Sequence, residues 1–326
     1  MRRREFIAGL GSAAAWPIMA QAQQPDRIRR VGILIGGPDA DYQDLIKNFL
    51  AGLAQLGWTE GGNLRIDHRL PNSNDPDAIR PHAEALVRAA PDVIFVGGAT
   101  AVQVLQRLTS TIAIVFIQSG DPVQGGSVQS LAHPGGNITG FLTFEPSINS
   151  KYLQLLKDMA PQVTRVSILQ TQASSWRGDF AVIEVVARSF AVAPVRTLVR
   201  DDPADIERAI VAFAREPNGG LILPPDAITI KHRALLVALA AKHHLPAVYA
   251  SRRFVYAGGL TSYAPAPIDL QQVAAYADRI LRGAKPGDLP VQQPTKFGLV
   301  INLKTAKALS LTIPETLLAT ADEVIQ

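Results

Sequence analysis

The chain has 326 residues, more than one small core needs and comfortable for two domains. With 47% apolar and 18% charged residues it is globular rather than disordered. The net charge of +4 falls to +2 once Arg2, Arg3, Arg4 and Glu5 are set aside, and no basic stripe with interleaved aromatics points to nucleic acid.

No cysteine occurs, which excludes disulfides, thiolate metal sites, a cysteine nucleophile and a lipid-bearing N-terminal cysteine. Residues 1–22 read as a signal peptide. Arg2-Arg3-Arg4 precedes a weakly apolar run from Ala8 to Ala20, and Ala20-Gln21-Ala22 supplies the small residues of a cleavage site. Arg3-Arg4-Glu5-Phe6-Ile7 has the look of a twin-arginine export motif, so the expected location is the periplasm. No other stretch approaches the length and apolarity of a membrane span.

From Arg30 onward short apolar runs alternate with amphipathic segments. The first half predicts strands at 31–35, 63–70, 92–96 and 112–117, with helices at 41–56, 75–90 and 101–108. The pattern then restarts with a helix at 148–160. Strands follow at 165–169, 195–199, 220–223 and 247–249, between helices near 176–191, 203–215 and 229–243. Residues 258–263 follow, then a helix from about 269 to 281 and a final strand at 296–303. Such alternation predicts α/β architecture: two Rossmann-like lobes of parallel sheet flanked by helices, joined by a multi-strand hinge. The expected division is 28–143 plus 258–286 for lobe 1, and 144–257 plus 287–326 for lobe 2. Hinge segments are expected at 139–144, 256–260 and 290–295.

Several motifs carry a resemblance. They are Gly120-Asp121-Pro122-Val123, Pro134 through Gly140, Tyr256 through Tyr263, and the tail from Gln293-Pro294-Thr295-Lys296-Phe297 to Ile301-Asn302-Leu303-Lys304-Thr305-Ala306. In order and spacing the chain, from about Val31 to its end, resembles the periplasmic substrate-binding proteins of ABC transporters with the type I fold. Within them it is similar to the branch of tryptophan and other aromatic amino-acid binders. The resemblance implies a monomeric solute receptor working with an inner-membrane permease, without a cofactor. Two departures stand out: Gly98-Ala99-Thr100-Ala101 replaces a Gly-Thr-Pro-Ala-like turn, and Ser310 stands where the family has glycine, a position concerned with helix termination.

Ligands of open parallel sheets bind beyond the carboxyl ends of the strands. That rule selects the loops 36–39, 97–100 and 118–121 in the first half, and 171–176, 224–226 and 250–251 in the second. Gly98, Ala99 and Thr100 would offer helix-start amides and a hydroxyl to a ligand carboxylate, with Ser119 beside them. Asp121 and Asp226 are the strand-end acids available to an ammonium. Ser174 falls in the 171–176 loop, and Trp176, Tyr249 and Tyr263 offer aromatic walls. Each has a plainer alternative: Asp121 and Asp226 as turn caps, Thr100 as an N-cap, Trp176 and Tyr249 as packing residues, Tyr263 as a hinge seal.

Catalytic patterns are missing from the sequence. It contains no G-x-G-x-x-G after the first strand, no Walker lysine motif and no G-x-S-x-G elbow. His243-His244 reads as a pair at a helix end rather than a metal site. A regulator built on this fold would carry a helix-turn-helix ahead of Val31, where the leader stands instead. The expected function is capture of a small molecule, an amino acid or related carboxylate, by lobe closure. The alternatives are a periplasmic receptor feeding signalling or chemotaxis, and a sugar binder.

Overall fold

The computed structural model describes residues 27–35, 40–71, 75–118, 120–143, 145, 148–171 and 179–326. The leader, with its export motif and cleavage site, lies outside the described residues.

The first half runs β1 (Arg29–Ile35), α1 (Ala40–Gln55), β2 (Leu64–Arg69), α2 (Pro76–Arg88), β3 (Val93–Gly97), α3 (Ala99–Leu108), β4 (Ala113–Gln118) and β5 (Ile138–Leu142). The second half begins with α4 (Ile148–Met159), β6 (Arg165–Thr171), α5 (Asp179–Ser189), β7 (Ala193–Val199), α6 (Pro203–Ala214) and β8 (Gly219–Leu223). It continues with α7 (Ala227–Lys231), α8 (Arg233–Lys242), β9 (Ala247–Tyr249), α9 (Arg252–Tyr256) and β10 (Thr261–Pro265). The chain closes with α10 (Leu270–Leu281), β11 (Phe297–Asn302), α11 (Leu303–Ala308), α12 (Glu315–Ala319) and β12 (Glu323–Ile325).

These strands form two sheets, ordered β2-β1-β3-β4-β5 and β12-β11-β10-β9-β8-β6-β7. The expected α/β architecture of two helix-flanked, parallel-dominated sheets is borne out. Because helices cover both faces, the inner strands such as β3, β4 and β8 are continuously apolar rather than alternating, whereas the edge strands β2 and β7 carry polar residues. In β1, Val31, Ile33 and Ile35 enter one core with Phe49 and Leu53 of α1 and Val273 and Ala277 of α10. Leu34 enters the other, with Ile79 and Leu86 of α2 and Val102 and Leu105 of α3. The second sheet is sandwiched likewise, by α4 and α5 on one face and by α6, α8 and α9 on the other. Gly52 lets α1 approach α10 closely, since a β-carbon there would collide with the Ala274 methyl.

Local chemistry sets the helix starts. Asp75 before Pro76 and Asp202 before Pro203 are N-caps whose carboxylates accept from Asp77 N at 2.9 Å and Ala204 N at 3.0 Å. Both place proline in the first turn, where its missing N–H costs nothing.

The structure departs from the sequence reading in its last third. The helix expected at 229–243 is two, α7 and α8, divided at His232, whose Nε2 lies 2.7 Å from Asp201 Oδ1. The strand after Gly258-Gly259 joins the second sheet, parallel to β9 and antiparallel to β11. Residues 258–265 therefore depart from the expected boundary that gave 258–286 to lobe 1, whereas α10 within that range does pack on α1. Conversely Leu289 and Val291 belong to the cores of the first sheet.

The chain consequently passes between the sheets at 142–148, 265–270 and 292–297. Two of these passages overlap the ends of the expected hinge segments 139–144 and 290–295, although most of the first segment forms β5. The third expected segment, 256–260, does not cross. Gly258 there has φ +101 and ends α9, and Gly259 abuts Tyr249 and the Phe254 backbone so closely that no side chain fits. The outgoing and returning segments pair: Leu142 N donates to Gln292 O at 2.8 Å and Gln292 N to Gly140 O at 2.9 Å. Tyr276 fixes this pair, its hydroxyl donating to Pro290 O at 2.8 Å and accepting from Gln292 Nε2 at 2.7 Å.

Candidate functional site

All three passages leave from one end of each sheet. In the first sheet the outgoing passage begins at the carboxyl end of β5. In the second, it enters at the start of α4, the next departs from the carboxyl end of β10, and the last returns into antiparallel β11 beside it. The strand-end loops of both sheets therefore flank the passages, where a two-lobed protein binds its ligand.

In the first sheet, Gly98 closes β3. Its φ of +94 turns the chain, its N–H donates to Ile117 O at 2.9 Å, and it is the N-cap of α3 with no side-chain cap. The first-turn amides of α3 at Ala99 and Thr100 are thus left to an external acceptor. Thr100 is inside the helix and half-buried, so the N-cap alternative for it does not hold. Asp121 is exposed, and its Oδ1 accepts from Val123 N at 2.8 Å and Gln124 N at 3.2 Å. It caps the turn through one oxygen. Ser119, Ser174 and Trp176 lie outside the described residues.

In the second sheet, Asp226 is 8% exposed and fully engaged. Oδ1 caps α7, accepting from Ile228 N at 2.8 Å and Thr229 N at 3.3 Å. Oδ2 accepts from Thr171 Oγ1 at 2.9 Å and Thr171 N at 3.4 Å. A carboxylate with both oxygens so used joins β6 to α7, the role that the turn-cap alternative describes.

Tyr249 packs inside the core. It is 1% exposed and stacks on Phe254 at 4.6 Å within the core, because its side chain lies on the sheet face covered by α8 and α9. Burial pushes its phenol well above the usual tyrosine range. Tyr263 is half-buried and stacks on Phe297 at 5.6 Å. Its phenol is raised by burial first, and then by Asp322 and Glu145. Both readings of Tyr263, wall and hinge seal, fit its place at the passage into α10.

Other polar groups at this end escape simple sequence reading. Asn149 in the first turn of α4 and Gln170 near the end of β6 are buried, and neither carboxamide atom of either has a hydrogen-bond partner. Tyr152, one turn along α4, also buries an unpartnered hydroxyl; burial raises its phenol above the ordinary range, and the nearby Tyr263 adds to this. Buried polar groups without partners are rare and costly, and they concentrate where a protein does something besides fold. The available signal was an amide ending the otherwise apolar run Ile168-Leu169-Gln170.

The His243-His244 pair ends α8. His243 is its C-cap and His244 takes φ +50, as the helix-end reading requires. Among the described residues no group of three or more His, Asp or Glu could hold a metal ion, and no helix is long and apolar enough to cross a membrane.

A model of the family described as ABC transporter substrate binding protein matches residues 33–325. The chain belongs to this family. It is 25% identical to a tyrosine-binding protein of Clostridioides difficile over 300 residues, covering 87% of this chain and 81% of that protein. Among solved structures it is similar to a conserved domain protein from Vibrio cholerae, at 26% identity and TM-score 0.81, covering 91% of this chain and all of that one. It also shares its fold with a Streptococcus pneumoniae domain solved in complex with L-Trp, at 23% identity and TM-score 0.80, covering 91% and 99%. The resemblance read from the motifs is thereby borne out. The chain places its helix-start amides and strand-end polar groups at the carboxyl ends of its parallel strands, the end at which open α/β sheets bind ligands.

Proposed function

We propose that this substrate-binding protein captures an amino acid with an aromatic side chain and presents it to an inner-membrane permease. The observation that carries the ligand class is its likeness, across 87% of its length, to a tyrosine-binding protein. The site chemistry supports it. Uncapped amides at Ala99 and Thr100, beyond the turn made by Gly98, suit the carboxylate, and Asp121 keeps Oδ2 for the ammonium. Tyr263 on Phe297 supplies an aromatic surface. Binding across the passages stabilises the closed arrangement of the two sheets, and the permease reads that arrangement; no covalent step is involved. The arginine-led leader directs the chain to the periplasm, where the mature protein works as a monomer.

The test is a thermal-shift and calorimetric screen of the mature protein against tyrosine, tryptophan, phenylalanine, aliphatic amino acids and monosaccharides. Saturable binding confined to aromatic amino acids supports the reading. Preference for a sugar, or turnover of the bound compound, would sink it.

A further inference from the structure

A cleft of about 250 Å³ lies between the outer edge of the first sheet and the last turn of α2. It shares no residue with the strand-end loops. Its walls carry Arg30 of β1 and Arg65, Asp67 and Arg69 of β2, closed by Leu86 and Pro91.

The strand register explains the charge. Arg30 stands directly opposite Arg65, so two guanidinium groups share one face of the sheet. Like charges in that relation repel and destabilise the pair unless something answers them. The nearby acids are committed elsewhere. Asp92 accepts from the Arg30 backbone N at 2.8 Å and from Arg29 Nη1 at 3.0 Å. Asp67 is paired with Arg69, its Oδ2 accepting from Nη2 at 3.2 Å. Arg69 Nε lies 3.1 Å from Asp67 Oδ1 but is not aligned for a hydrogen bond, leaving a buried donor without a partner. Arg30 spends Nη1 on the Ala89 carbonyl at 2.8 Å, which ties the guanidinium to the end of α2. Arg65 is exposed and has no ion pair among the described residues. Three forked donors thus meet one carboxylate that already has a partner.

We propose that this cleft binds a small free oxyanion, of the phosphate or carboxylate type, gripped by Arg65 and Arg30 and adjoined by Arg69. Guanidinium forks match planar and tetrahedral oxyanions through paired N–H donors, and the concave shape favours a small molecule over a flat protein surface. The site is independent of the amino-acid reading, and a bound anion would stabilise the first lobe by mass action.

Calorimetric titration of the mature protein with inorganic phosphate, and separately with succinate, at ionic strength fixed with sodium chloride, tests this. Saturable one-to-one binding of either anion is expected; which binds tighter distinguishes a tetrahedral from a dicarboxylate occupant. Arg65→Gln, at an exposed edge position, should weaken that binding at least tenfold without changing amino-acid affinity or lowering the melting temperature measured in chloride alone. Asp67→Asn should strengthen it severalfold by removing the competing carboxylate. The proposal is overturned by absence of saturation with both anions, or by equal affinity in the wild type and Arg65→Gln.

Discussion

Asp226 and Thr171 hold together the ends of two strands that are not adjacent in sequence: Thr171 Oγ1 donates to Asp226 Oδ2 at 2.9 Å while Oδ1 of the same carboxylate caps α7. Asp226→Ala removes a helix cap and leaves the Thr171 hydroxyl and three amides without an acceptor. It should destabilise the protein by about 2–3 kcal/mol in urea unfolding. Thr171→Val should cost less, and a double-mutant cycle should show coupling above about 0.5 kcal/mol.

Tyr249→Phe separates core packing from ligand contact at that residue. The hydroxyl is buried without a partner, so its removal should raise stability by about 1 kcal/mol and leave amino-acid affinity unchanged. A drop in affinity would return Tyr249 to the binding surface. The folded phenol is raised above its unfolded value near pH ~10. The unfolded chain therefore ionises first, and stability falls as pH rises past that value; Tyr249→Phe should lessen the fall.

Asp121→Asn separates the two roles of that side chain. The asparagine carbonyl still accepts from Val123 and Gln124, so melting should not change. Loss of the charge should weaken tyrosine binding by about tenfold or more in calorimetry. Unchanged affinity would leave Asp121 as a turn cap alone.

Ser310→Gly should stabilise. Ser310 follows α11 with φ +57, its N–H donating to Lys307 O at 3.0 Å and that of Leu311 to Ala306 O at 2.9 Å. This is the helix-ending geometry in which glycine avoids β-carbon strain, so denaturant midpoints should rise by an equivalent of about 1 kcal/mol. The departure noted at this position in the sequence thus concerns the helix end and not the ligand.

Asp201 gives a pH-dependent contribution. Its carboxyl is held below the usual range by the hydrogen bond from Lys231 Nζ, at 2.8 Å, and then by that from His232. A lowered folded value contributes stability above the unfolded pKa near ~4, lost as pH falls through the folded value. The pair is partly exposed, so Asp201→Asn should cost under about 1 kcal/mol at pH 7 and nothing well below pH ~3.

How far the sequence could be read depended on where side-chain period alone decides. Four strands of the first sheet were legible because β1, β3 and β4 are apolar runs of strand length between turn residues, whereas β5, holding Thr139 and Gly140, was read as part of a hinge. The surroundings of Asp226 and Tyr249 were not legible, for a different reason. Strand-end position brings a residue near the ligand end, but only tertiary register tells which face it occupies, and Tyr249 shares its row with Ser262 and Leu223. The Gly258-Gly259 pair looked like a hinge because glycine permits motion; here it permits close packing. Asn149 was missed because a polar residue inside an amphipathic helix is ordinarily taken for a solvated one, and Gln170 because an amide ending an apolar run is ordinarily taken for the start of a loop.

The packing of α10 against α1 also sets an order of events during synthesis. The last strand of the first sheet is complete at Leu142, yet the helix that covers its α1 side ends at Leu281. At ~5–20 residues per second the intervening segment takes on the order of ten seconds to emerge. Throughout that interval the nascent first sheet has one incompletely covered face. A fragment truncated before α10 should be sticky, and chaperone occupancy should persist until that helix leaves the ribosome.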